Sequence, residues 1–237
     1  MPVCAAPPFA ADQARTPSCN VGWRAHDLLR LHRLALFDGE PEWVREAFDR
    51  APMAVVRRAL VAESFVAIGV RGTERSQRYG TWARCTDIDA SVSPEALVEC
   101  ASSMPNARAV LPPFSALASL RRDATGPLHD FAWGPAGSAG FELATQVPTV
   151  SASSDLDLLI RTPDALDRDH ARALLAQLQT HADGAGIRVD AQLDTPSGGV
   201  ALAEWAAGKS RVMVRHASGP RLIADPWATI DHHEDVI

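Results

Sequence analysis

Asp155 and Asp157 stand two residues apart in Ser154-Asp155-Leu156-Asp157-Leu158-Leu159-Ile160, a run that is otherwise apolar. A strand alternates faces residue by residue, so both carboxylates point one way while Leu156 and Leu158 enter a core. Two anions on one face of a buried strand repel each other and lose hydration. A divalent cation removes that penalty. Hard oxygen ligands at this spacing suit Mg²⁺, which keeps several waters and takes substrate phosphates as its remaining ligands. A bare Asp-x-Asp can equally be a solvated strand end, so the flanking sequence has to decide.

Upstream lies Trp133-Gly134-Pro135-Ala136-Gly137-Ser138-Ala139-Gly140-Phe141-Glu142-Leu143. Glycines let a backbone approach an anion closely, and a helix beginning near Ser138 offers free amides and a positive dipole end. The Ser138 hydroxyl adds a donor for a phosphate oxygen. Bridging two metals about 3.5–4 Å apart for in-line phosphoryl displacement needs a third acid. Ile187-Arg188-Val189-Asp190-Ala191-Gln192-Leu193-Asp194 supplies two on one strand face, Asp190 and Asp194. Asp190 is favoured, because Asp194 runs into the turn at Thr195-Pro196-Ser197-Gly198-Gly199. Phosphate charge also needs cations, and bidentate arginine serves best. Arg71, Arg75 and Arg78 surround a glycine turn at a strand end, and Lys209 and Arg211 follow the last helix.

Other polar residues have plainer readings. His26 caps the first element or touches ligand. His232-His233 in the acidic tail lack a third ligand at defined spacing. Glu204 and Trp205 pack or face solvent on a helix, and Cys85 and Cys100 carry no activating histidine signature.

The elements that position these residues can be read coarsely. Residues 1–22 read as a disordered leader, rich in proline and small residues. Trp23 to Leu31 is an early strand or short helix, Pro41 to Phe48 a helix with proline in its first turn, Pro52 to Leu60 a helix, and Ser64 to Arg71 a strand. Pro94 to Ala101 reads as a short helix. Four prolines between Met104 and Pro127 place a boundary near residue 120, separating an N-terminal α/β domain (23–120) for substrate or carrier binding from a catalytic domain (121–237). Beyond it, Thr162-Pro163-Asp164 looks like a helix start, with Leu166, Leu174, Leu175 and Leu178 on its core face and Gly184 at its end. Ile187 to Gln192 is a strand, Gly198-Gly199 opens a helix, and Arg211–Arg215 with Leu222–Ala224 forms a hairpin around Ser218-Gly219-Pro220. Alternating strands and helices imply an α/β (α+β) protein whose C-terminal domain is a mixed sheet flanked by helices.

Composition narrows the class. With 46% hydrophobic and 22% charged residues in 237, the chain can bury one large core or two small ones. A formal charge of −6 offers no general field for nucleic acid. No apolar run reaches the ~18–20 residues of a membrane span. The first residues lack the basic start and apolar stretch of a secretory signal. Cysteines at 4, 19, 85 and 100 have no metal-ligand spacing, and a reducing cytoplasm fits them.

The order Gly137-Ser138, then Asp155-x-Asp157, then a single acid on a later strand resembles the nucleotidyltransferase superfamily of the polymerase β type. The gap between Ser138 and Asp155 is longer than usual there, so Val147 to Ser154 is expected as an insertion near the site. Taken with HDLL near the start, Gly69-Val70-Arg71-Gly72, Arg75-Ser76-Gln77-Arg78, GPAGSAGFELAT, SDLDLLI, VDAQLDTPSGGVALAEWA and GPRLIADPW, the chain resembles the phosphoribosyl-dephospho-CoA transferases of malonate decarboxylase, over residues 24 to 228. That resemblance implies a donor, 2′-(5″-triphosphoribosyl)-3′-dephospho-CoA, and an acceptor serine on the apo acyl-carrier subunit of malonate decarboxylase, with pyrophosphate leaving. It implies two Mg²⁺ on Asp155, Asp157 and Asp190, and a phosphate grip from Gly137, Ser138 and the arginines. A nucleotidyltransferase using an ordinary NTP on a small molecule or protein is the alternative enzyme, and a catalytically silent regulator that binds nucleotide or carrier is the alternative outside catalysis.

Overall fold

The computed structural model describes residues 3–16 and 22–228. Two six-stranded mixed sheets organise them. The first contains β1 (Val3–Cys4), β2 (Leu28–Leu31), β3 (Met53–Val56), β4 (Phe65–Arg71), β5 (Arg78–Arg84) and β6 (Ile88–Val92), in the order β1-β5-β4-β3-β2-β6, with helix α1 (Trp43–Arg50) between β2 and β3 in sequence. All its pairs are antiparallel except β1 with β5. Alternation along β2 divides two cores. Leu29 and Leu31 pack with Val44, Ile68 and Tyr79, while Leu28 faces the core of the second sheet.

The second sheet runs β12-β11-β10-β9-β8-β7. Its strands are β7 (Trp133–Pro135), β8 (Leu156–Arg161), β9 (Val189–Thr195), β10 (Gly198–Ala201), β11 (Val212–His216) and β12 (Gly219–Ile223). Only β8 and β9 are parallel, connected through the long helix α6 (Arg168–Ala185). Leu156, Leu158, Leu159 and Ile160 are at most 1% exposed. Burial of each contributes roughly 1.5–3 kcal/mol, which fixes β8 as the centre of this half. Helices α2 (Pro94–Cys100), α3 (Asn106–Ala109), α4 (Pro112–Arg122), α5 (Gly137–Thr145) and α7 (Leu202–Ala206) complete it.

Several elements differ from the sequence reading. Pro52 to Leu60 is not a helix but contains β3. Met53 and Val55 pack on the second core and Ala54 and Val56 belong to the first, so a strand buried on both sides shows no period-two signal. Gly198-Gly199 opens β10, paired with β9, and α7 begins only at Leu202. Thr162 is not a cap: it is buried, and its Oγ1 donates to the Asp194 carbonyl. Asp167 caps α6 instead, accepting from the amides of Asp169 and His170, and Gly186 ends it in the left-handed region at φ +69°.

The leader is structured wherever it is described. Its β1 pairs with β5, the Ala5 amide donates to the Gly80 carbonyl, and Phe9 packs on Phe65 and Trp82. The proline-rich stretch before residue 120 holds α3 and α4, and Leu97, Phe114, Leu117 and Leu120 sit in the core of the second sheet. Most of the second core therefore comes from α2 onward, joined by Leu28, Met53 and Val55 from the first sheet. His232, His233 and Cys19 lie outside the described residues. Among the described residues no helix is long and apolar enough to cross a membrane.

Candidate active site

Parallel pairing of β8 with β9 sets Asp157 directly opposite Asp190, and Asp155 immediately precedes β8. The three acids gather at one end of the sheet. Burial pushes the Asp157 carboxyl above the usual carboxylate range, and the neighbouring charges of Asp190 and Asp155 push it further, with Arg71 and Arg75 pulling the other way. Arg188 donates to Asp190 at 2.8 Å and lies 3.9 Å from Asp155.

Gly137 opens α5 beside these acids. The Ala136 amide donates to the Asp157 carbonyl at 2.9 Å, tying the helix start to β8. Gly137 has φ +55°, and a Cβ there would meet Asp157 Oδ2 at 1.9 Å. Only glycine allows both the backbone conformation and the approach of the carboxylate. Ser138 follows on the first turn, its carbonyl accepting from Thr149 Oγ1 at 2.9 Å. The loop expected as an insertion is held back onto α5. Buried Glu142 takes two bonds from Arg108, at 2.7 and 2.8 Å, and accepts from the amides of Thr149 and Val150. Burial alone would raise the Glu142 carboxyl, but Arg108 and the amides outweigh it and hold it below the usual range.

A cavity of about 590 Å³ lies between the two sheets. Arg71 and Arg78, cross-strand neighbours at the end of the β4–β5 hairpin, line it together with Gly137 and Asp157. Burial lowers the Arg71 guanidinium to about 10, helped by the adjacent Arg78 and opposed by Asp157. Burial lowers Arg78 too. Arg71 Nε is buried with no hydrogen-bond partner, an uncompensated donor of the kind that a ligand oxygen satisfies. Arg75, at the hairpin tip and 90% exposed, reaches to 4.0 Å from Asp155.

The structure thus brings Asp155, Asp157, Asp190, Gly137, Arg71, Arg75 and Arg78 to one mouth, with Ser138 beside it. Lys209 and Arg211 are not brought there. Lys209 lies 3.4 Å from Glu204, Arg211 is exposed ahead of β11, and neither lines the cavity. Four lining residues escaped the sequence reading: Arg57, Arg58, Gln192 and Arg215; His26, read there as a cap or a ligand contact, lines the cavity too. The adjacent pair Arg57-Arg58 was a visible signal, hidden once its segment was read as helix.

Asp194 is occupied elsewhere. It pairs with Arg58, and with Arg161 at 2.7 Å, and Arg161 also holds Glu95 at 2.7 Å, Asp27 at 3.0 Å and the Ala25 carbonyl at 3.0 Å. Burial alone would raise the Asp194 carboxyl, but the two arginines hold it below the usual range. His26, at φ +72°, accepts at Nε2 from Arg58 (3.1 Å) and Gln192 (2.8 Å). It lines the cavity. Desolvation, then the Arg58 charge, lower it to about 3, so the ring is neutral with its proton on Nδ1.

Among the described residues no three His, Cys, Asp or Glu side chains already stand close enough to hold a metal ion. The donor set nevertheless fits Mg²⁺, which needs only one or two protein carboxylates when substrate phosphates complete its shell. The raised Asp157, facing Asp190 and Asp155, carries the mutual repulsion that a cation relieves.

Residues 24–94 match the family described as phosphoribosyl-dephospho-CoA transferase MdcG, N-terminal domain, and residues 97–226 match its C-terminal domain. A phosphoribosyl-dephospho-CoA transferase of Pseudomonas putida is 43% identical over 88% of this chain and 97% of the relative. Those of Pseudomonas fluorescens strain Pf-5 and Azotobacter vinelandii are 42% and 39% identical, each over 86% of this chain and 94% of the relative. No solved structure matches the chain at a significant level. With both domain profiles matched in order and relatives aligned over most of its length, the chain belongs to the phosphoribosyl-dephospho-CoA transferase MdcG family.

Proposed function

We infer that this chain transfers the phosphoribosyl-dephospho-CoA group of 2′-(5″-triphosphoribosyl)-3′-dephospho-CoA to a serine of the malonate decarboxylase acyl-carrier subunit. The carrier Oγ forms a bond to the α-phosphorus, the bond from that phosphorus to the bridging oxygen of the β-phosphate breaks, and pyrophosphate leaves. The serine proton passes to water at the open mouth. One observation carries this reading: three carboxylates on the β8–β9 end face an arginine hairpin across a cavity, with Arg75 4.0 Å from Asp155.

The residues divide the work. Arg71 and Arg78 meet the phosphate charge from the first sheet, and Arg75 covers it from the hairpin tip. The amides opening α5 at Gly137 and Ser138 add neutral donors at a helix N-terminus. Asp155, Asp157 and Asp190 would hold two Mg²⁺, which lower the pKa of the incoming hydroxyl and neutralise the departing pyrophosphate. The first sheet then serves mainly donor and carrier binding and the second the chemistry. The unpaired thiols of Cys4 and Cys85 support a cytoplasmic setting.

The test is direct. Purified protein, Mg²⁺, apo carrier and the triphosphoribosyl donor should yield a carrier heavier by the prosthetic group in intact-mass analysis, with pyrophosphate released. Turnover of ATP or UTP without turnover of that donor would overturn the reading.

A further inference from the structure

The outer mouth does not use all the positive charge in the cavity. Arg57 and Arg215 also line it, and neither has a carboxylate within ion-pair distance among the described residues. Arg57 lies across the two cross-strand glycines Gly69 and Gly80, and its guanidinium donates to Cys4 Sγ at 3.6 Å. A Cβ on Gly80 would meet its guanidinium at 2.1 Å. Arg215 donates to the Gln192 amide oxygen, and the Gln192 amide nitrogen donates in turn to the neutral His26. Arg58 joins at the same His26 nitrogen. Donors therefore converge on a region where Asp194 is already shared between Arg58 and Arg161.

Two strands on opposing sheets place this group one step along from the reacting mouth. On β9, Gln192 lies two residues beyond Asp190 on the same face, and on β4, Gly69 under Arg57 lies two residues from Arg71. Each step is about 7 Å along a strand. The cavity thus holds one cationic set, called outer, opposite the carboxylates and a second, called inner, one strand step along.

We propose that the inner set, centred on Arg57 and Arg215 and held by His26, Gln192 and Arg58, is a second anion subsite that takes the diphosphate joining adenosine to pantetheine in the donor. This rests on the transfer reading above. That donor carries two separate anionic groups, a triphosphate on one pentose and a diphosphate on the other. An ordinary nucleoside triphosphate carries one, so the inner subsite discriminates between them.

Isothermal titration of the full chain with 3′-dephospho-CoA, which has the diphosphate but no triphosphate, and with inorganic tripolyphosphate separates the two sets. Arg215→Gln and Arg57→Gln should each weaken dephospho-CoA binding at least tenfold and leave tripolyphosphate binding within twofold, with an unchanged melting temperature. Arg71→Gln should do the reverse. The subsite is wrong if wild-type protein does not bind dephospho-CoA, if both inner variants bind it normally, or if they lose tripolyphosphate instead, which would assign the inner arginines to the triphosphate end. Transfer assays on wild type run alongside: transfer with normal dephospho-CoA binding by both variants sinks the subsite alone, whereas no transfer from the donor sinks the functional reading itself.

Discussion

Asp190 and Asp194 lie four residues apart on one face of β9, yet Asp190 is exposed beside Asp157 while Asp194 is mostly buried between Arg58 and Arg161. Residue type, strand and face are the same. What differs is the company. Burial, and then the neighbouring charges of Asp190 and Asp155, leave Asp157 with a raised affinity for protons, whereas Asp194 is held as an anion by two guanidiniums. Carboxylates crowded together at an open mouth can receive a cation and phosphates, and a buried, paired cluster can only hold segments together.

The comparison breaks first on stability. Asp194→Ala leaves Arg58 and Arg161 without their shared anion, and removing one partner of a buried pair costs about 3–5 kcal/mol. Urea unfolding should report a loss of that size, and a loss below about 1 kcal/mol would make Asp194 an ordinary surface acid. Asp157→Ala should do the opposite. Transfer falls by roughly 10²–10³-fold, the scale of losing one preorganised electrostatic contact, while the melting temperature holds or rises because a desolvated, repelled carboxylate is gone. Retained transfer would remove the acids from the chemistry.

A third effect sits between the two regions, at His26. Its folded pKa is about 3, below the usual histidine value of 6.5. The unfolded chain therefore binds a proton that the native state refuses, so stability is full above about 6.5 and falls as pH drops toward 3. The slope is about 1.4 kcal/mol per pH unit for one proton. His26→Asn tolerates the positive φ and should flatten the stability profile between pH 6.5 and 4 by one proton; an unchanged slope would place the acid sensitivity elsewhere. The smallest effect belongs to Lys209→Ala and Arg211→Ala, which should leave kcat and KM for the donor within about twofold. A larger change would bring them back to the site from which their positions exclude them.

Local pattern made β8 and α5 legible. Alternation in Asp155-Leu156-Asp157-Leu158 reports a half-buried strand, and Gly137-Ser138 reports a helix start. The choice of Asp190 over Asp194 rested on the turn that follows Asp194, and parallel pairing of β8 with β9 sets Asp157 opposite Asp190. Other features had no local trace. Arg58 meets Asp194, and Arg161 meets Asp27, across more than half the chain, and no spacing rule reports such partners. Met53-Ala54-Val55-Val56, buried on both faces, carries no periodicity, so β3 and with it Arg57-Arg58 were misplaced. Thr162-Pro163-Asp164 has every mark of a cap, yet tertiary contact with Asp194 claims Thr162 and passes the capping role to Asp167.

Arg161 has a kinetic consequence. Its partners Ala25 and Asp27 precede it by 136 and 134 residues, and Asp194 follows by 33. Such contacts form late, after loop closure has already cost its entropy. Neither half can satisfy the Arg161 cluster alone, so the two sheets are expected to unfold in one cooperative transition, and a severed half should remain loosely packed where Arg161 meets its missing partners.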